Sequence, residues 1–353
     1  MKNYQPLVSI VIPNYNHSMY LDEAIQSALN QTYKNIEVII SDNCSQDHSV
    51  EVMMKYLDQG VTVIKNPINL FNSNYILSSE ASKGEYLLLL CADDCIKPEF
   101  VQKAVEIMEE NRNIGFVHCE RDYIDKEGTI TRLDPFFNCS FWTQGKNMLP
   151  IFMLTDVGAS AQTLVRRSKL IEIGGHDSES DHLNIDREKW FRLAMITDYA
   201  YIREKLALIR IPEGRSETSK AVEIFYHPLA LFHTIKSFEK WALLRDYKEV
   251  SARVRQAEEK LATECGGFIT ELIGREEFDL ARKYLLFMQL LNPSLLMDQL
   301  HMDCMEMCIQ RDNSKIREEK ITPRNNYTFR KRNYDPPESF ELLENVEEGN
   351  WHA

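Results

Sequence analysis

The sequence predicts an α/β fold in which a mostly parallel sheet is flanked by helices, followed by an α-helical C-terminal region. In the first 120 residues or so, short apolar runs alternate with stretches that have helical periodicity, a pattern typical of parallel sheets covered on both faces. From about Ser219 to Gln310 the periodicity is helical, with no proline between Pro228 and Pro293. Acidic residues follow two of the apolar runs directly, as expected for a crevice at the carboxyl ends of strands.

The elements are predicted in order from these patterns. Strands are expected at Val8–Ile12 (ended by Pro13), Ile36–Ser41, Val61–Ile64, Tyr86–Cys91, Phe116–Cys119, Ala159–Val165, Tyr199–Ile202 and Leu206–Ile211. Helices are expected from near Ser18, from Val50 to Leu57, over Asn72–Ser82 with Gly84 as the C-terminal cap, after Pro98, over Arg167–Ile173 and over Asp186–Ile196. The turn Lys126-Glu127-Gly128 predicts a hairpin.

Composition restricts the class of protein. The chain has 353 residues, 44% of them hydrophobic, which is enough for about two domains. A net charge of -13 argues against a general nucleic-acid binder, because such proteins carry a basic face. The eight cysteines include no CxxC pair and are expected to be reduced thiols. We find no signal peptide and no apolar run long enough to span a bilayer, so the expected location is cytoplasmic, with peripheral association at the inner membrane face also compatible.

The most informative stretch runs from Leu87 to Asp94, where an apolar strand leads into two adjacent carboxylates, Asp93 and Asp94. Carboxylates there are costly unless a cation sits beside them, and a divalent metal that carries a phosphate is the natural candidate. Asp42 ends an earlier strand in the same way, so these side chains are expected to share one crevice. The turn after the first strand, Pro13-Asn14-Tyr15-Asn16, contains no glycine, which excludes the GxGxxG cradle of dinucleotide-binding dehydrogenases.

These segments together resemble glycosyltransferase family two, whose members have the GT-A fold. The resemblance covers roughly residues 6 to 212. It is carried by the motifs at Val8–Asn16, Ser41–Asp47, Cys91–Asp94 with Pro98, Leu164–Ser168 before Gly174-Gly175, and Asp186–Leu193. It implies a metal-dependent, inverting glycosyltransferase that moves a sugar from a nucleoside-diphosphate donor, most naturally a UDP-sugar, to an acceptor hydroxyl on a glycan, a lipid-linked glycan or a protein.

The resemblance also implies roles for individual residues. Asp42 would hydrogen-bond the nucleotide base, and Pro13 and Tyr15 would shape its pocket. Asp93, helped by Asp94, would bind Mn²⁺ or Mg²⁺ and the diphosphate. Asp186 would be the catalytic base. Of the asparagines after the third strand, Asn69 is the one we place at the nucleotide.

Each of these residues also has a plainer interpretation. Asp186 could be only a helix N-cap, with Asn184 as the other candidate for that position. Asp42 could be an ordinary turn residue, and Tyr15 and Trp190 could be core packing. The chain departs from the family pattern at Cys91, at Ile185 and in the region of Pro212-Glu213. Positive charge near the diphosphate is then expected from Arg210 or Arg215.

Two other functions remain open from the sequence. One is a catalytically silent module that binds a sugar nucleotide or a glycan. The other is a nucleotidyltransferase, although the glycine-rich basic loop typical of those enzymes is missing. We expect a catalytic domain at 1–215, a helical region at 216–321 that packs on it and offers a surface for self-association, and a poorly ordered tail at 322–353. Acceptor-binding loops are expected at 134–155 and 177–185.

Overall fold

A computed structural model describes residues 5–176, 184–211, 221–317 and 334–343. The strands of these residues are β1 (Val8–Asn14), β2 (Ile36–Asp42), β3 (Thr62–Lys65), β4 (Tyr86–Leu89), β5 (Cys95–Ile96), β6 (Ile114–Ile124), β7 (Ile130–Thr131), β8 (Phe141–Thr143), β9 (Thr163–Arg166), β10 (Asp198–Arg210) and β11 (Glu341–Leu342). They form a single sheet in the order β11-β8-β10-β6-β9-β4-β1-β2-β3, with β5 added to β10 and β7 to β6.

The sheet is mixed, and its N-terminal half is parallel. β4, β1, β2 and β3 pair in parallel, as do β6 and β10. β9 runs antiparallel between β4 and β6 and joins the two parallel parts. The carboxyl ends of β1, β2 and β4 therefore meet at one edge of the sheet, as the sequence predicts.

Helices cover both faces of the sheet. They are α1 (Ser18–Leu29), α2 (Ser49–Met54), α3 (Ser73–Glu80), α4 (Phe100–Glu110), α5 (Gly145–Leu154), α6 (Arg167–Glu172), α7 (Ile185–Ala194), α8 (Tyr226–Leu244), α9 (Lys248–Ser251), α10 (Val254–Gly274), α11 (Phe278–Leu291), α12 (Gln299–Gln310) and α13 (Ser314–Arg317). Alternate residues of β1 face opposite layers: Ile10 and Ile12 pack with α1, α2 and α4, whereas Val11 belongs to the core on the other face. None of the helices in these ranges is long and apolar enough to cross a membrane.

The helical region packs on the first part of the chain, as predicted. Phe191 of α7 stacks on Phe238 of α8, with ring centroids 4.0 Å apart. The buried side chains of α5, α7, α8, α10 and α11 belong to one hydrophobic core. Because this core is continuous, α8 is attached to the helix that carries Asp186.

Three predicted elements are wrong in detail. The strand expected at Ala159–Val165 is β9, which begins at Thr163 because Ser160–Gln162 form a 3-10 helical turn. α3 ends at Glu80 and is capped by Ala81 in a right-handed conformation, so Gly84 is not its cap. Gly84 instead permits close strand packing, since a Cβ there would lie 2.6 Å from the Ser9 backbone nitrogen. The two short strands predicted at 199–202 and 206–211 are one strand, β10, whose pairing with β6 shifts register between Ile202 and Lys205. The charged residues of this irregularity made one strand look like two.

The expected poorly ordered tail is also wrong for residues 334–343. Glu341 and Leu342 pair antiparallel with β8 at the sheet edge. The Asn138 backbone N–H donates to the Tyr334 carbonyl at 2.8 Å. The polar and acidic composition of this segment does not predict a strand. The strand forms because its backbone pairs with the exposed edge of β8, which does not require apolar side chains.

Candidate functional site

The parallel register of β1 and β2 sets Asn14 beside Asp42 at the ends of the two strands. Asn14 Nδ2 donates to Asp42 Oδ1 at 2.8 Å, and the Ser45 backbone N–H donates to Asp42 Oδ2 at 3.0 Å. Asp42 is 2% exposed. Its carboxylate therefore holds the turn after β2 against the end of β1, which is the contact of a turn-forming residue. Contact with a nucleotide base stays a prediction.

The other predicted nucleotide-binding residues lie around the same edge. Pro13 is a buried residue of β1, and Tyr15, just beyond it, is 43% exposed, so Tyr15 is not core packing. Asn69 Oδ1 accepts hydrogen bonds from Asn43 Nδ2 and the Phe71 backbone N–H, both at 2.8 Å. Asn69 thus ties the loop after β3 to the turn after β2. Both Tyr15 and Asn69 border the crevice expected for a nucleotide.

Three possible metal ligands converge beyond β4. The Cys91 sulfur and the carboxylate oxygens of Asp93 and Asp94 lie within 4.8 Å of one another. Burial, and then the charge of Asp93, raise the pKa of Asp94 well above its usual range. Although the sequence departs from the family pattern at Cys91, its sulfur belongs to this cluster, because β4 ends at Leu89 and the chain turns at the residues that follow.

The donor set of this cluster fits a divalent cation. Two carboxylates that crowd together in a largely buried position favour a bound positive charge, and carboxylate oxygens are ligands that Mn²⁺ and Mg²⁺ accept. Arg210 does not supply that charge through its guanidinium. The guanidinium donates to the carbonyl oxygens of Asp93 and Asp125 and to Glu23, whereas the Arg210 backbone N–H donates to Asp94 Oδ1 at 2.9 Å. The other candidate, Arg215, lies outside the described residues, as do Pro212 and Glu213.

Asp186 is not an N-cap. It is the second residue of α7, after Ile185, and Asn184 occupies the cap position without a side-chain cap hydrogen bond. The Asp186 carboxylate instead accepts from Ser160, with the backbone N–H at 3.0 Å from Oδ2 and Oγ at 2.5 Å from Oδ1. The side chain is 29% exposed. Trp190 and Leu193 on the same helix are buried, so Asp186 lies at the open end of a core-facing stripe, as predicted.

Lys189 is the functional residue that sequence reasoning missed. Its side chain is 2% exposed and its ammonium lies 2.9 Å from Asp186 Oδ1, 2.7 Å from Ser160 Oγ and 4.3 Å from the centre of the Trp190 ring. His176 Nδ1 lies 3.4 Å away. Burial and the Lys189 charge lower the pKa of His176 to about 3, so its ring is neutral and can accept a hydrogen bond. A lysine three residues after an aspartate, on the apolar face of a helix, was the available signal.

This network controls the charge of Asp186. Burial alone would raise the pKa of the carboxyl, but the Lys189 ammonium and the Ser160 hydrogen bonds outweigh burial, and the pKa is lowered. Asp186 is therefore ionised at neutral pH, as a proton acceptor must be.

The Tyr75 side chain of α3 interacts electrostatically with both Asp186 and the Cys91–Asp94 cluster. Cys91, then burial, then Asp186, Asp93 and Asp94 all raise the pKa of its hydroxyl. The tyrosine is therefore neutral and lies within electrostatic range of the cluster and of Asp186. The fold thus brings together Asp93, Asp94 and Asp186, which are almost a hundred residues apart in the sequence.

We expect the substitution Lys189→Met to raise the pKa of Asp186. The variant removes the ammonium that lowers this pKa, whereas the burial that raises it and the Ser160 hydrogen bonds that lower it remain. The measurement is an NMR titration of the Asp186 carboxyl carbon. Lys236→Met, which removes a lysine paired with Glu239 and Glu258 on α8 and α10, is the matched control and should leave the titration unchanged. An unchanged titration in Lys189→Met would show that Lys189 does not set the charge of Asp186.

Comparison with known proteins identifies the family of this chain. The family model described as Glycosyl transferase family 2 matches residues 9–174. An uncharacterized glycosyltransferase of Methanocaldococcus jannaschii is 33% identical over 243 residues, which cover 67% of this chain and 80% of that protein. Three other curated glycosyltransferases, from Rickettsia typhi, Haemophilus influenzae and Rickettsia prowazekii, are each 30% identical. The matched part of this chain spans 66%, 56% and 65% of their lengths.

Solved structures show the same fold. TarS 1-349 of S. aureus, in complex with UDP-GlcNAc, has a TM-score of 0.61 at 15% identity, covering 88% of this chain and 92% of that one. The mannosyltransferase PcManGT of Pyrobaculum calidifontis, in complex with GDP-Man and Mn²⁺, has a TM-score of 0.51 at 14% identity, covering 90% of this chain and 88% of that one. The fold is the GT-A fold that the sequence predicts. With the family model and the relatives in agreement, the chain belongs to glycosyl transferase family 2.

Proposed function

We propose that this protein is a metal-dependent, inverting glycosyltransferase that moves a sugar from a nucleoside diphosphate to an acceptor hydroxyl in glycoconjugate synthesis. The observation that carries the proposal is the ionised carboxylate of Asp186, held in place by Ser160 and Lys189 and within electrostatic range of Cys91 in the Cys91–Asp94 cluster. A proton acceptor beside a site for a charged leaving group is what this transfer requires. We assign catalysis to residues 1–215 and treat 216–321 as the helical region.

The donor binds along the carboxyl edge of β1, β2 and β4 in this proposal. Asp42 contacts the base, Pro13 and Tyr15 shape the base pocket, and Asn69 lies at the nucleotide. Asp93 and Asp94 hold Mn²⁺ or Mg²⁺, with the Cys91 sulfur in reach. When bound, the cation supplies Lewis-acid stabilisation of the departing diphosphate. A UDP-sugar is the first candidate donor because the neighbour TarS was solved with UDP-GlcNAc, and a GDP-sugar is the second because PcManGT was solved with GDP-Man.

The transfer then proceeds by one displacement. Asp186 takes the proton of the acceptor hydroxyl as its oxygen attacks the anomeric carbon. The bond from that carbon to the diphosphate oxygen breaks, the nucleoside diphosphate leaves with the electron pair, and the anomeric configuration inverts. Before the transfer Lys189 keeps the carboxylate ionised and oriented, because its buried ammonium lies 2.9 Å from Asp186 Oδ1.

A panel of sugar nucleotides, tested by thermal shift with and without Mn²⁺ and then by release of nucleoside diphosphate, tests the proposal. One donor should stabilise the protein when the metal is present, by about 2.7 kcal/mol at a hundredfold excess over Kd. The protein should also release nucleoside diphosphate from that donor slowly. Stabilisation without any release, even when acceptors are added, would favour a silent binding module. If no sugar nucleotide stabilises the protein, the proposal is wrong.

A further inference from the structure

A cavity lies beside Asp186. Its volume is about 300 Å³, at the lower end of the range for small-molecule sites. Asp186 and its neighbours at the start of α7 form one wall, and side chains of α8 and α10 form the opposite wall. None of the described residues that line it belongs to the Cys91–Asp94 cluster. Asp186 is therefore part of the lining of a cavity that is separate from the cluster.

We propose that this cavity binds the acceptor, and that the acceptor presents an uncharged sugar residue, a hexose or an N-acetylhexosamine. The inference rests on the proposed function, since it takes Asp186 as the base. A ligand in the cavity lies against Asp186, which places an acceptor hydroxyl next to the proton acceptor.

The charges of the lining argue for an uncharged ligand. Among the described residues of the lining, three are carboxylates (Asp156, Asp186, Glu264) and two are cations (Arg187, Lys260), so the formal charge is 2 − 3 = −1. Both cations are directed at the end of α5. Arg187 Nε donates to the Phe152 carbonyl at 2.9 Å, and Lys260 Nζ donates to the Leu154 carbonyl. Burial lowers the pKa of His227, which leaves that ring neutral. A phosphate or a uronic acid would meet net repulsion here.

The distribution of apolar side chains and carboxylates around the cavity suits a sugar ring. The side of the cavity formed by α8 and α10 carries apolar side chains, Leu231 and Ile235 from α8 and Ala257 and Leu261 from α10. The carboxylates of Asp156 and Asp186 lie on the other side. A pyranose has an apolar C–H face and a rim of hydroxyls that donate to carboxylates, so it can satisfy both sides at once.

This placement gives the helical region a role in specificity. Of the predicted acceptor loops, 134–155 reaches the cavity only through Leu154 and Thr155. The second loop contributes Asn184 and Ile185, and its residues 177–183 lie outside the described ranges. No local pattern in the sequence predicts that α8 and α10 line a cavity beside Asp186.

Ligand-observed NMR on the full chain, with UDP, GDP and Mn²⁺ present, tests the inference. The probes are methyl β-D-glucoside, methyl N-acetyl-β-D-glucosaminide and methyl β-D-glucuronide. At least one uncharged glycoside should bind and the glucuronide should not. Leu231→Trp, which fills the cavity, should weaken that binding at least tenfold. Glu264→Lys changes the formal charge of the lining from −1 to about +1, so this variant should bind the glucuronide. The control is Glu259→Lys, a charge reversal at an exposed position of the same helix, which should change the binding of neither the uncharged glycoside nor the glucuronide.

The two proposals fail in different ways. If UDP or GDP binds with the metal but no uncharged glycoside binds, the acceptor assignment alone is wrong. The same holds if Leu231→Trp binds the uncharged glycoside as tightly as the parent protein does. Preference of the parent for the glucuronide would overturn it as well. If neither nucleotide binds, the proposed function fails first. Melting temperatures of the variants show that each is folded before it is compared.

Discussion

The substitution Asp186→Asn should reduce sugar transfer by about 10²–10⁴, the usual contribution of a positioned base. It should also lower the stability of the protein, because the buried Lys189 ammonium loses its carboxylate. Removing one partner of a buried pair costs about 3–5 kcal/mol, and we expect about 3 because part of Asp186 remains exposed. Rate and melting temperature are measured together, with the donor that the nucleotide panel identifies.

A double variant separates the two effects. Asp186→Asn with Lys189→Met removes both charges, so the melting temperature should return toward that of the parent while transfer stays lost. Donor and metal binding should be normal in both variants. If transfer recovers together with stability, Asp186 is a structural residue and another group is the base.

The substitution Asp93→Asn should abolish metal-dependent nucleotide binding without loss of stability. Among the described residues no hydrogen bond to the Asp93 side chain is seen, whereas Asp94 accepts the Arg210 backbone N–H. Loss of the Asp93 charge also removes a like charge that raises the pKa of buried Asp94, so the melting temperature without metal should be unchanged or higher. Calorimetry with Mn²⁺ and UDP or GDP measures the binding.

Asp58→Asn, at an exposed turn before β3, is the matched control and should bind nucleotide normally. The expected result is lost nucleotide binding with an unchanged or higher melting temperature. A variant that fails to fold would lose both, so it cannot be mistaken for this result. Equal metal-dependent binding by Asp93→Asn and the parent would remove Asp93 from the metal site.

Much of the fold is determined by the sequence itself. Apolar strands and helical periodicity are local patterns, so the parallel half of the sheet, α1 and α7 were predicted almost as they occur. The hairpin turn at Gly128 was also predicted, and that glycine has a positive φ of 82°. Gly84 was misassigned, because its requirement for a small side chain comes from Ser9, a residue far away in the chain.

For the site, the sequence determined which carboxylates end strands, and the strand order then required Asp42 and Asp93 to share one edge of the sheet. Only the tertiary structure decided the charge of Asp186, because the charge of a buried group depends on its neighbours in space. Ser160 comes from a distant part of the chain. Lys189 is three residues away on the same helix, but its burial beside Asp186 depends on how that helix packs. The cavity beside Asp186 also depends on the tertiary structure, because its apolar side chains belong to α8 and α10. Helical periodicity shows that an apolar helix face is buried, but it does not show which element packs against that face.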